Sequence, residues 1–449
     1  MYLLASGPEQ DSSSSGTRKA AVRILLYGLN YSPELTGIGK YTGEMASWLA
    51  ARGHSVRVVA APPYYPAWKI REDYRNTLYR TEHAPGEPTV FRTPLYVPEH
   101  PTGLRRMAHL FSFMVASLPV MLRQIGWSPE LVFTVEPAFF GAPLALTVAK
   151  LSGAPCWLHI QDFEVDAAFE LGILPSGGSL QRWAHSLEKR FTTSFDVVST
   201  ISSKMLERAL SKGVSSSRAV LFPNWVDVSE IYPCSAPNQM RRDMGLEGKT
   251  VLLYSGNMGQ KQGLEVFEPL TRAFLNDPRV HFLFCGNGTF REELEQMTAG
   301  RPNVTLLPLQ PLDRLNELLN VADIHLLPQR ARAADLVMPS KLVGILASGR
   351  PVIAAAERGT QLDLVVRGAP EMGVDPCGLV VPPEDHGALQ QAVLRLVADS
   401  NLREELGSAA RRYAIQHLCK EQVLLRFEQQ LLELVLSLQP LKQPSPSIV

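Results

Sequence analysis

Short apolar runs alternate with helix-length amphipathic segments along most of the chain. The first unit has an apolar run at 22–28, a segment at 38–52 with Tyr41 and Met45 on one helical face, and a second apolar run at 55–60. This succession predicts a βαβ unit. Further β-rich runs lie at 131–134, 156–160, 197–200 and 219–222, with helix-length segments at 138–151 and 180–193. The pattern predicts an α/β fold with a parallel, doubly wound sheet.

A proline-containing stretch interrupts the alternation after this first half. Residues 223–244 hold Pro223, Pro233 and Pro237 and show little periodicity, which is typical of a linker. The alternation then resumes, with β-rich runs at 250–255, 280–285, 304–307, 324–327, 351–355 and 378–381. Two Rossmann-like, doubly wound parallel-sheet domains that face each other across a cleft fit this pattern better than one continuous sheet.

These breaks set the predicted domain boundaries. We expect a disordered extension at 1–20, an N-terminal domain at 21–228, a linker at 229–245, a C-terminal domain at 246–415, a helix at 416–438 that packs back toward the N-terminal domain, and a loose tail at 439–449. Each domain is then large enough to bury its own core.

Charge and cysteine content narrow the function classes. The chain of 449 residues has 44 Lys and Arg against 44 Asp and Glu, so it lacks the overall positive field of a nucleic-acid-binding protein. Its five cysteines are scattered, without the paired spacing of a zinc site or a disulfide framework. Residues 1–20 lack the apolar core of a signal peptide. We therefore expect a cytoplasmic protein with reduced cysteines.

The longest apolar segment is 107–122, with Arg105, Arg106 and Arg123 at its ends. No run of 18 or more apolar residues occurs, so we expect no membrane-spanning segment. Two interpretations remain open with equal weight. The segment is either a peripheral contact with an anionic membrane, on the inner face of the plasma membrane, or a core helix of the α/β domain.

Glycines follow the first predicted strand. In sheets of this kind ligands bind beyond the carboxyl ends of the strands. Gly37 and Gly39 precede a helix, so backbone can approach a ligand there and the helix N-terminus can face negative charge. Their spacing differs from the dinucleotide-binding fingerprint, which disfavours a Rossmann oxidoreductase and leaves an ordinary glycine turn as the alternative.

Two segments of the second half have the features of a phosphate site. Gly256, Asn257 and Lys261 follow its first strand and supply loop N–H groups and a cation. Ser340 and Lys341 begin a short apolar helix, where a serine cap and a lysine favour an anion. A solvated lysine and a plain helix cap are the alternatives. Because both segments lie in one domain, we favour a phosphate-binding site.

Acidic residues follow a strand of the first half. Asp162, Glu164 and Asp166 could form a metal or acid/base cluster, or only the acidic first turn of a helix. We expect Asp162 and His159 to be sugar contacts in the catalytic site, without a metal.

The aromatic loop at 62–69 is a candidate contact for a sugar or a lipid. Tyr64, Tyr65 and Trp68 could stack on a sugar or lie at a lipid interface, and a packed Pro-rich turn is the alternative.

Six stretches together resemble a known family. They are 30–42, 62–69, 159–168, 223–227, 256–265 and 338–342, within a similarity that extends over about 22–430. The chain resembles the GT-B glycosyltransferases of the retaining family 4, and within it a fucosyltransferase branch of colanic-acid type.

The resemblance implies transfer of a sugar from a nucleotide diphosphate donor, with GDP-fucose as the first choice, to a glycan or a polyprenyl-diphosphate-linked acceptor of a cell-surface polysaccharide. The loop with Tyr64, Tyr65 and Trp68, taken with Arg105 and Arg106, is then the candidate contact for a membrane-bound polyprenyl diphosphate acceptor.

The resemblance places Lys261 on the donor diphosphate as a catalytic cation, Gly37 and Gly39 opposite, and Asp335 by the sugar. It further implies retention of configuration and no cofactor or divalent metal, with fixed cations and helix dipoles meeting the developing charge.

Two departures from the family pattern leave alternatives open. Gly344 and Leu336 stand where the family usually has two glutamates, the second of which grips the donor ribose. The arginine that commonly accompanies Lys261 has no clear counterpart, and Asn257 lies nearby instead. A UDP-N-acetylhexosamine transferase of the same fold and a non-catalytic partner subunit are therefore the alternatives.

Overall fold

The computed structural model describes residues 21–34, 37–99, 103–136, 140–163, 165–166, 169, 178–234, 238–259, 262–330, 339–370 and 373–438. Lys261, Asp335 and Glu164 lie outside the described residues, as do the N-terminal extension and the C-terminal tail.

The first domain contains a parallel sheet with one antiparallel edge strand. Its strands are β1 (Arg23–Tyr27), β2 (Ser55–Ala60), β3 (Arg80–Glu82), β4 (Thr89–Arg92), β5 (Leu131–Val135), β6 (Cys156–Ile160), β7 (Val197–Thr200) and β8 (Ala219–Leu221). They pair in the order β3-β4-β2-β1-β5-β6-β7-β8, and only the β3–β4 pair within this sheet is antiparallel. The helices of this domain are α1 (Gly37–Ala51), α2 (Gly103–Ile125), α3 (Ala142–Ser152), α4 (Ser179–Thr192) and α5 (Ser203–Ser211).

The second domain repeats the architecture with six parallel strands. They are β9 (Thr250–Ser255), β10 (Val280–Cys285), β11 (Val304–Leu307), β12 (Ile324–Leu327), β13 (Val352–Ala355) and β14 (Gly378–Val381), in the order β11-β10-β9-β12-β13-β14. The remaining helices are α6 (Gln239–Asp243), α7 (Phe267–Ala273), α8 (Arg291–Thr298), α9 (Leu315–Val321), α10 (Lys341–Ala347), α11 (Gln361–Arg367), α12 (His386–Ala398), α13 (Ser400–His417) and α14 (Lys420–Leu438).

Both faces of the first sheet are covered by apolar layers. Ile24 and Leu26 of β1 face one buried cluster, whereas Leu25 and Tyr27 face the other. Successive side chains of a strand point to opposite faces, so a strand that is covered on both sides is apolar throughout. This explains why the strands of the sequence appear as continuous apolar runs.

The last helix, α14, packs on the first domain. The Phe427 ring stacks on that of Phe222 with centroids 4.5 Å apart, and the Trp48 indole N–H donates to the Glu421 carboxylate at 2.9 Å. Glu428, which is fully buried, accepts from Arg52 at 2.8 Å. The last described helix therefore lies on the first domain.

In each sheet the first strand lies in the interior, and the strand order changes direction beside it. The change falls between β1 and β5 in the first domain and between β9 and β12 in the second. A crevice forms at the carboxyl ends of the strands at such a point, and it is the usual ligand site of doubly wound sheets. The loops that follow β1 and β9 are therefore the first places to look for a functional site.

Candidate active site

Glu34 organises the loop after β1, a role that the sequence did not reveal. Its carboxylate accepts hydrogen bonds from the Asn30 amide at 3.0 Å and from the backbone N–H groups of Tyr64 at 3.1 Å and Tyr65 at 3.0 Å. Burial raises the pKa of Glu34, and these hydrogen bonds oppose the shift. A Cβ at Gly39 would lie 2.5 Å from the Glu34 Oε2 atom. Any side chain at position 39 would clash with this carboxylate, so the position requires glycine.

Gly37, Tyr65 and Asp162 converge at this end of the first sheet. Gly37 has a φ of +61°, and a Cβ there would lie 3.8 Å from the Tyr65 ring. The pKa of Tyr65 is raised, mainly by burial and further by the Asp162 carboxylate, whereas Arg106 opposes the shift. Three residues that the sequence placed in separate motifs therefore lie close together.

The three aromatic residues of the predicted acceptor loop differ in exposure. Tyr64 is 5% exposed, and its ring contacts those of Trp68 and His109 at centroid distances of 5.6 and 4.8 Å. Tyr65 is 37% exposed. Tyr64 therefore supports the loop from inside, and Tyr65 offers the more accessible surface to a ligand.

His159 is not placed to contact a sugar, contrary to the sequence prediction. Its side chain is buried in β6, where its Nδ1 shares a hydrogen bond with the Ser199 hydroxyl at 2.9 Å and its ring lies 4.9 Å from that of Phe222. Burial lowers the pKa of His159 to about 3. His159 follows Trp157 by two residues, so both side chains point into the same packed layer. Asp162, which lies beyond the strand end and is partly exposed, remains the candidate from this motif.

Asp166 belongs to an ion network. Its carboxylate accepts from Arg208 at 2.6 Å and from Lys212 at 2.9 Å, and Lys212 also donates to Glu188 at 2.5 Å. Asp166, Glu188 and His185 have the mutual spacing of metal ligands. Because the Lys212 ammonium already bridges the two carboxylates, a dication would have to displace it.

Closely packed glycine loops form the base of the site in the second domain. A Cβ at Gly286 would lie 1.9 Å from the Gly256 carbonyl oxygen, and one at Gly288 would lie 2.7 Å from the Asn257 side-chain oxygen. The loops after β9 and β10 therefore touch through their backbones. Gly286 and Gly288 were missed in the sequence, although two glycines directly after a buried strand were a usable signal.

Lys341 lies beside this base. Its Nζ atom is 3.9 Å from the centroid of the Tyr254 ring and 3.6 Å from the position of a Cβ on Gly256. Within the described residues, that buried Nζ has no hydrogen-bond partner. Burial lowers the pKa of Lys341 to about 7. A buried ammonium without a counter-charge is costly, so this geometry favours an anionic ligand.

Ser340 does not cap α10 as the sequence predicted. Its backbone is helical, with φ −59° and ψ −24°, and its side chain makes no capping hydrogen bond. A capping side chain needs the extended backbone that precedes a helix. The Ser340 residue is instead exposed beside Lys341.

The two domains also touch through their helices. The backbone N–H of Lys204 in α5 donates to the Gln361 side chain at the start of α11, at 3.2 Å. The candidate site residues are Gly37, Tyr65 and Asp162 in the first domain and Gly256 and Lys341 in the second.

Comparison with known proteins agrees with this architecture. Residues 36–225 match the family described as glycosyl transferase 4-like domain, and residues 249–399 match glycosyl transferases group 1. The chain is 42% identical over 414 residues, 90% of its length and 98% of the relative, to the putative colanic acid biosynthesis glycosyl transferase WcaI of Escherichia coli K12. It is 26% identical, over 88% of its length and 94% of the relative, to a GDP-mannose-dependent alpha-(1-6)-phosphatidylinositol monomannoside mannosyltransferase of Mycolicibacterium smegmatis.

A solved structure shows the same fold. HepE of Anabaena in complex with UDP aligns with a TM-score of 0.64 at 15% identity, over 91% of this chain and 99% of that protein. The chain belongs to the GT-B glycosyltransferases of family 4 and is a glycosyltransferase. The prediction of two parallel-sheet α/β domains of GT-B type is confirmed.

Proposed function

We propose that this enzyme transfers a sugar from a nucleotide diphosphate donor, bound by the second domain, to a glycan or lipid-linked acceptor during synthesis of a cell-surface polysaccharide. The support for the pathway is the similarity over nearly the whole length of the Escherichia coli relative that is named for colanic acid biosynthesis. A cytoplasmic site of action is part of the proposal, and the five cysteines, all of them free, suit a reducing compartment.

The single observation that carries the proposal is the Lys341 ammonium. It is buried among Gly256 and Tyr254 at the carboxyl end of β9, and the described residues supply no acceptor for it. A donor diphosphate would supply that acceptor. As the glycosidic bond breaks, negative charge grows on the departing diphosphate, and a fixed cation in a buried site stabilises such charge strongly.

GDP-fucose is the first choice of donor, and a UDP-N-acetylhexosamine is the alternative. The GDP-mannose-dependent relative from Mycolicibacterium smegmatis favours a guanine nucleotide. HepE, which binds UDP in its solved structure, shares only the fold at 15% identity. A thermal-shift panel separates the two, since a ligand at about 100 times its Kd stabilises by about 2.7 kcal/mol. We expect GDP to raise the Tm and UDP to leave it unchanged; the reverse result would exclude the fucosyl donor.

Retention of configuration and independence from divalent metal complete the proposal. Lys341, with the predicted Lys261, provides the cations, and no protein carboxylate needs to act as the nucleophile. Asp162 and Tyr65 are proposed to contact the acceptor from the facing domain. Transfer that survives EDTA and gives a product with the anomeric configuration of the donor is the expected result.

Transfer of radiolabelled sugar from a panel of GDP-sugars and UDP-sugars to a membrane lipid extract tests the whole proposal. We expect transfer from one donor only, and its loss in Lys341→Met but not in Lys150→Met, an exposed lysine of α3. The alternative of a non-catalytic subunit, motivated by Gly344 at the place of the usual glutamate, predicts no transfer from any donor by the wild-type protein.

A further inference from the structure

One face of α2 exposes an unbroken apolar stripe. Its members are Leu104, Met107, Phe111, Val115, Leu118 and Leu122, which are between 38% and 77% exposed. Spacings of three and four residues place all six on the same side of a helix. By length and composition alone, α2 is also apolar enough to cross a membrane. This property was not expected from the sequence, because polar and charged residues interrupt the apolar run there.

The opposite face of α2 is fixed to the sheet. Phe113 stacks on Tyr27 of β1 at a centroid distance of 5.5 Å, and the Ser117 and Tyr27 hydroxyls share a hydrogen bond of 2.8 Å. His109 and Met121 are fully buried on the same side. The helix therefore cannot turn its stripe inward without breaking the core, and it cannot leave the domain to span a bilayer.

A neighbouring loop enlarges the exposed surface. The Tyr79 hydroxyl donates to the Ala116 carbonyl oxygen of α2 at 2.9 Å, while Tyr79 itself is 54% exposed and Leu78 is 58% exposed. An apolar surface with tyrosine at its edge is typical of a membrane interface.

The charges of α2 have one sign. The helix contains Arg105, Arg106 and Arg123 and no acidic residue. The exposed Arg105 and Arg123 are eighteen residues apart, which is about five turns, so they lie on the same flank of the stripe and about 27 Å apart. Both can reach a flat anionic surface while the stripe enters it.

We propose that the exposed face of α2, from Leu104 to Leu122, binds the surface of an anionic lipid bilayer and lies in its plane. Charge complementarity favours this occupant over a second copy of the chain. Two antiparallel α2 helices joined by their stripes would bring arginine against arginine at both ends of the contact, and α2 has no carboxylate to offset that repulsion.

The bound helix would also place the acceptor side of the active site at the membrane. His109 of α2 contacts Trp68 at 5.3 Å and Tyr64 at 4.8 Å between ring centroids. This step rests on the proposed function, in which those rings border the acceptor site. The acceptor is then an amphiphile that stays in the bilayer while its polar head reaches Tyr65.

Flotation of the full-length protein with vesicles tests the membrane proposal directly. We expect binding to phosphatidylcholine vesicles that contain phosphatidylglycerol, weaker binding to pure phosphatidylcholine, and a decrease with added salt, because salt screens the contribution of the arginines. No binding to either vesicle, or equal binding to both, would overturn the proposal.

Two pairs of variants assign the binding to α2. Phe111→Ser with Val115→Ser should reduce vesicle binding about tenfold or more, since two apolar side chains that would enter the bilayer are lost. Leu309→Ser with Leu312→Ser is the matched control, because these residues are 58% and 53% exposed in the second domain. Arg105→Glu with Arg123→Glu should reduce binding to anionic vesicles, whereas Arg395→Glu, an exposed arginine of α12, should not.

Two further measurements separate this proposal from its rivals. If the α2 variants float like the wild-type protein, or if sedimentation shows a dimer that these variants abolish, then the face does not bind membrane. The Tm increase caused by GDP should be unchanged in the α2 variants. A wild-type protein that floats but shows no response to any nucleotide would refute the proposed function and leave the membrane proposal intact.

Discussion

The carboxylate of Glu34 accepts a hydrogen bond of 3.0 Å from the backbone N–H of Tyr65. This bond joins the two loops that flank the candidate site in the first domain. One is the loop that leads into α1, whose first turn holds Gly37 and Gly39, and the other carries the aromatic residues of the candidate acceptor site. The position of Tyr65 over Gly37 is therefore set by a residue that need not touch either substrate.

Glu34→Ala should weaken both the fold and the acceptor site. It leaves the buried N–H groups of Tyr64 and Tyr65 without an acceptor, at about 1–3 kcal/mol for each unsatisfied group. Urea unfolding should show that loss, and steady-state kinetics should show a higher KM for the acceptor with the KM for the donor little changed. Equal changes in both KM values would contradict the positioning role of Glu34.

Gly39→Ala should disturb the same contact, between position 39 and the Glu34 carboxylate, from the glycine side. Its Cβ would meet the Glu34 carboxylate at 2.5 Å. The substitution should therefore resemble Glu34→Ala in its effect on acceptor KM. Gly387→Ala is a control for general glycine effects, because Gly387 also lies in the first turn of a helix without a positive φ, and its Cβ position is 3.5 Å from the nearest atom, an ordinary contact.

The attachment of α14 to the first domain depends on Glu428. This buried carboxylate pairs with Arg52 at 2.8 Å and with His54 at 3.1 Å. Its partner Arg52 is 29% exposed and stays hydrated when the carboxylate is removed, so Glu428→Ala should lower the free energy of unfolding by about 1.5–3 kcal/mol, the value of a hydrogen bond to a charged group. Glu433→Ala, at an exposed position of the same helix, should change it little.

Lys341 should make stability depend on pH in a defined direction. Burial lowers its pKa to about 7, against about 10.4 in an unfolded chain. Between these values the unfolded state binds more protons, so the stability of the wild-type protein should rise with pH through this window. Lys341→Met should therefore be more stable than the wild type at about pH 6 and lose most of that advantage by about pH 10. A variant that is less stable at the lower pH would contradict the buried, unpaired ammonium.

His159 and Asp162 should respond differently to substitution. His159→Phe preserves an aromatic ring in the packed layer beside Phe222. Because the pKa of His159 is about 3, the imidazole of the wild-type protein stays neutral near pH 7 and takes up no proton there. Transfer by that variant should stay within a few-fold of the wild type, while Asp162→Asn should reduce kcat/KM for the acceptor. Loss of kcat in a folded His159→Phe protein would restore His159 as a catalytic residue.

The strands could be predicted from the sequence because parallel strands covered on both faces appear as continuous apolar runs. The predicted runs at 156–160, 250–255, 280–285 and 324–327 have the same bounds as β6, β9, β10 and β12. The short strands β3 and β4 were missed. β3 is the edge strand of the sheet and β4 lies next to it, and charged residues such as Arg80 and Glu82 interrupt any apolar pattern there.

The site was predicted in part, and the errors have physical reasons. A strand buried on both faces shows no alternation, so the sequence could not tell that His159 points into the core while Asp162 lies beyond the strand. Glu34 was missed because its partners, Tyr64 and Tyr65, come about thirty residues later in the chain. The burial of the Lys341 ammonium depends on Tyr254, a contact made only by the folded sheet.

Calorimetric titration of GDP and UDP into the wild-type protein and Lys341→Met tests the central claim most directly. We predict that the wild-type protein binds one of the two nucleotides and that Lys341→Met binds it about 10 to 150-fold more weakly, the value of one charge-assisted hydrogen bond of about 1.5–3 kcal/mol. Lys150→Met should bind as the wild type does. Equal affinity of Lys341→Met and the wild-type protein would show that the buried ammonium is not the donor-phosphate site.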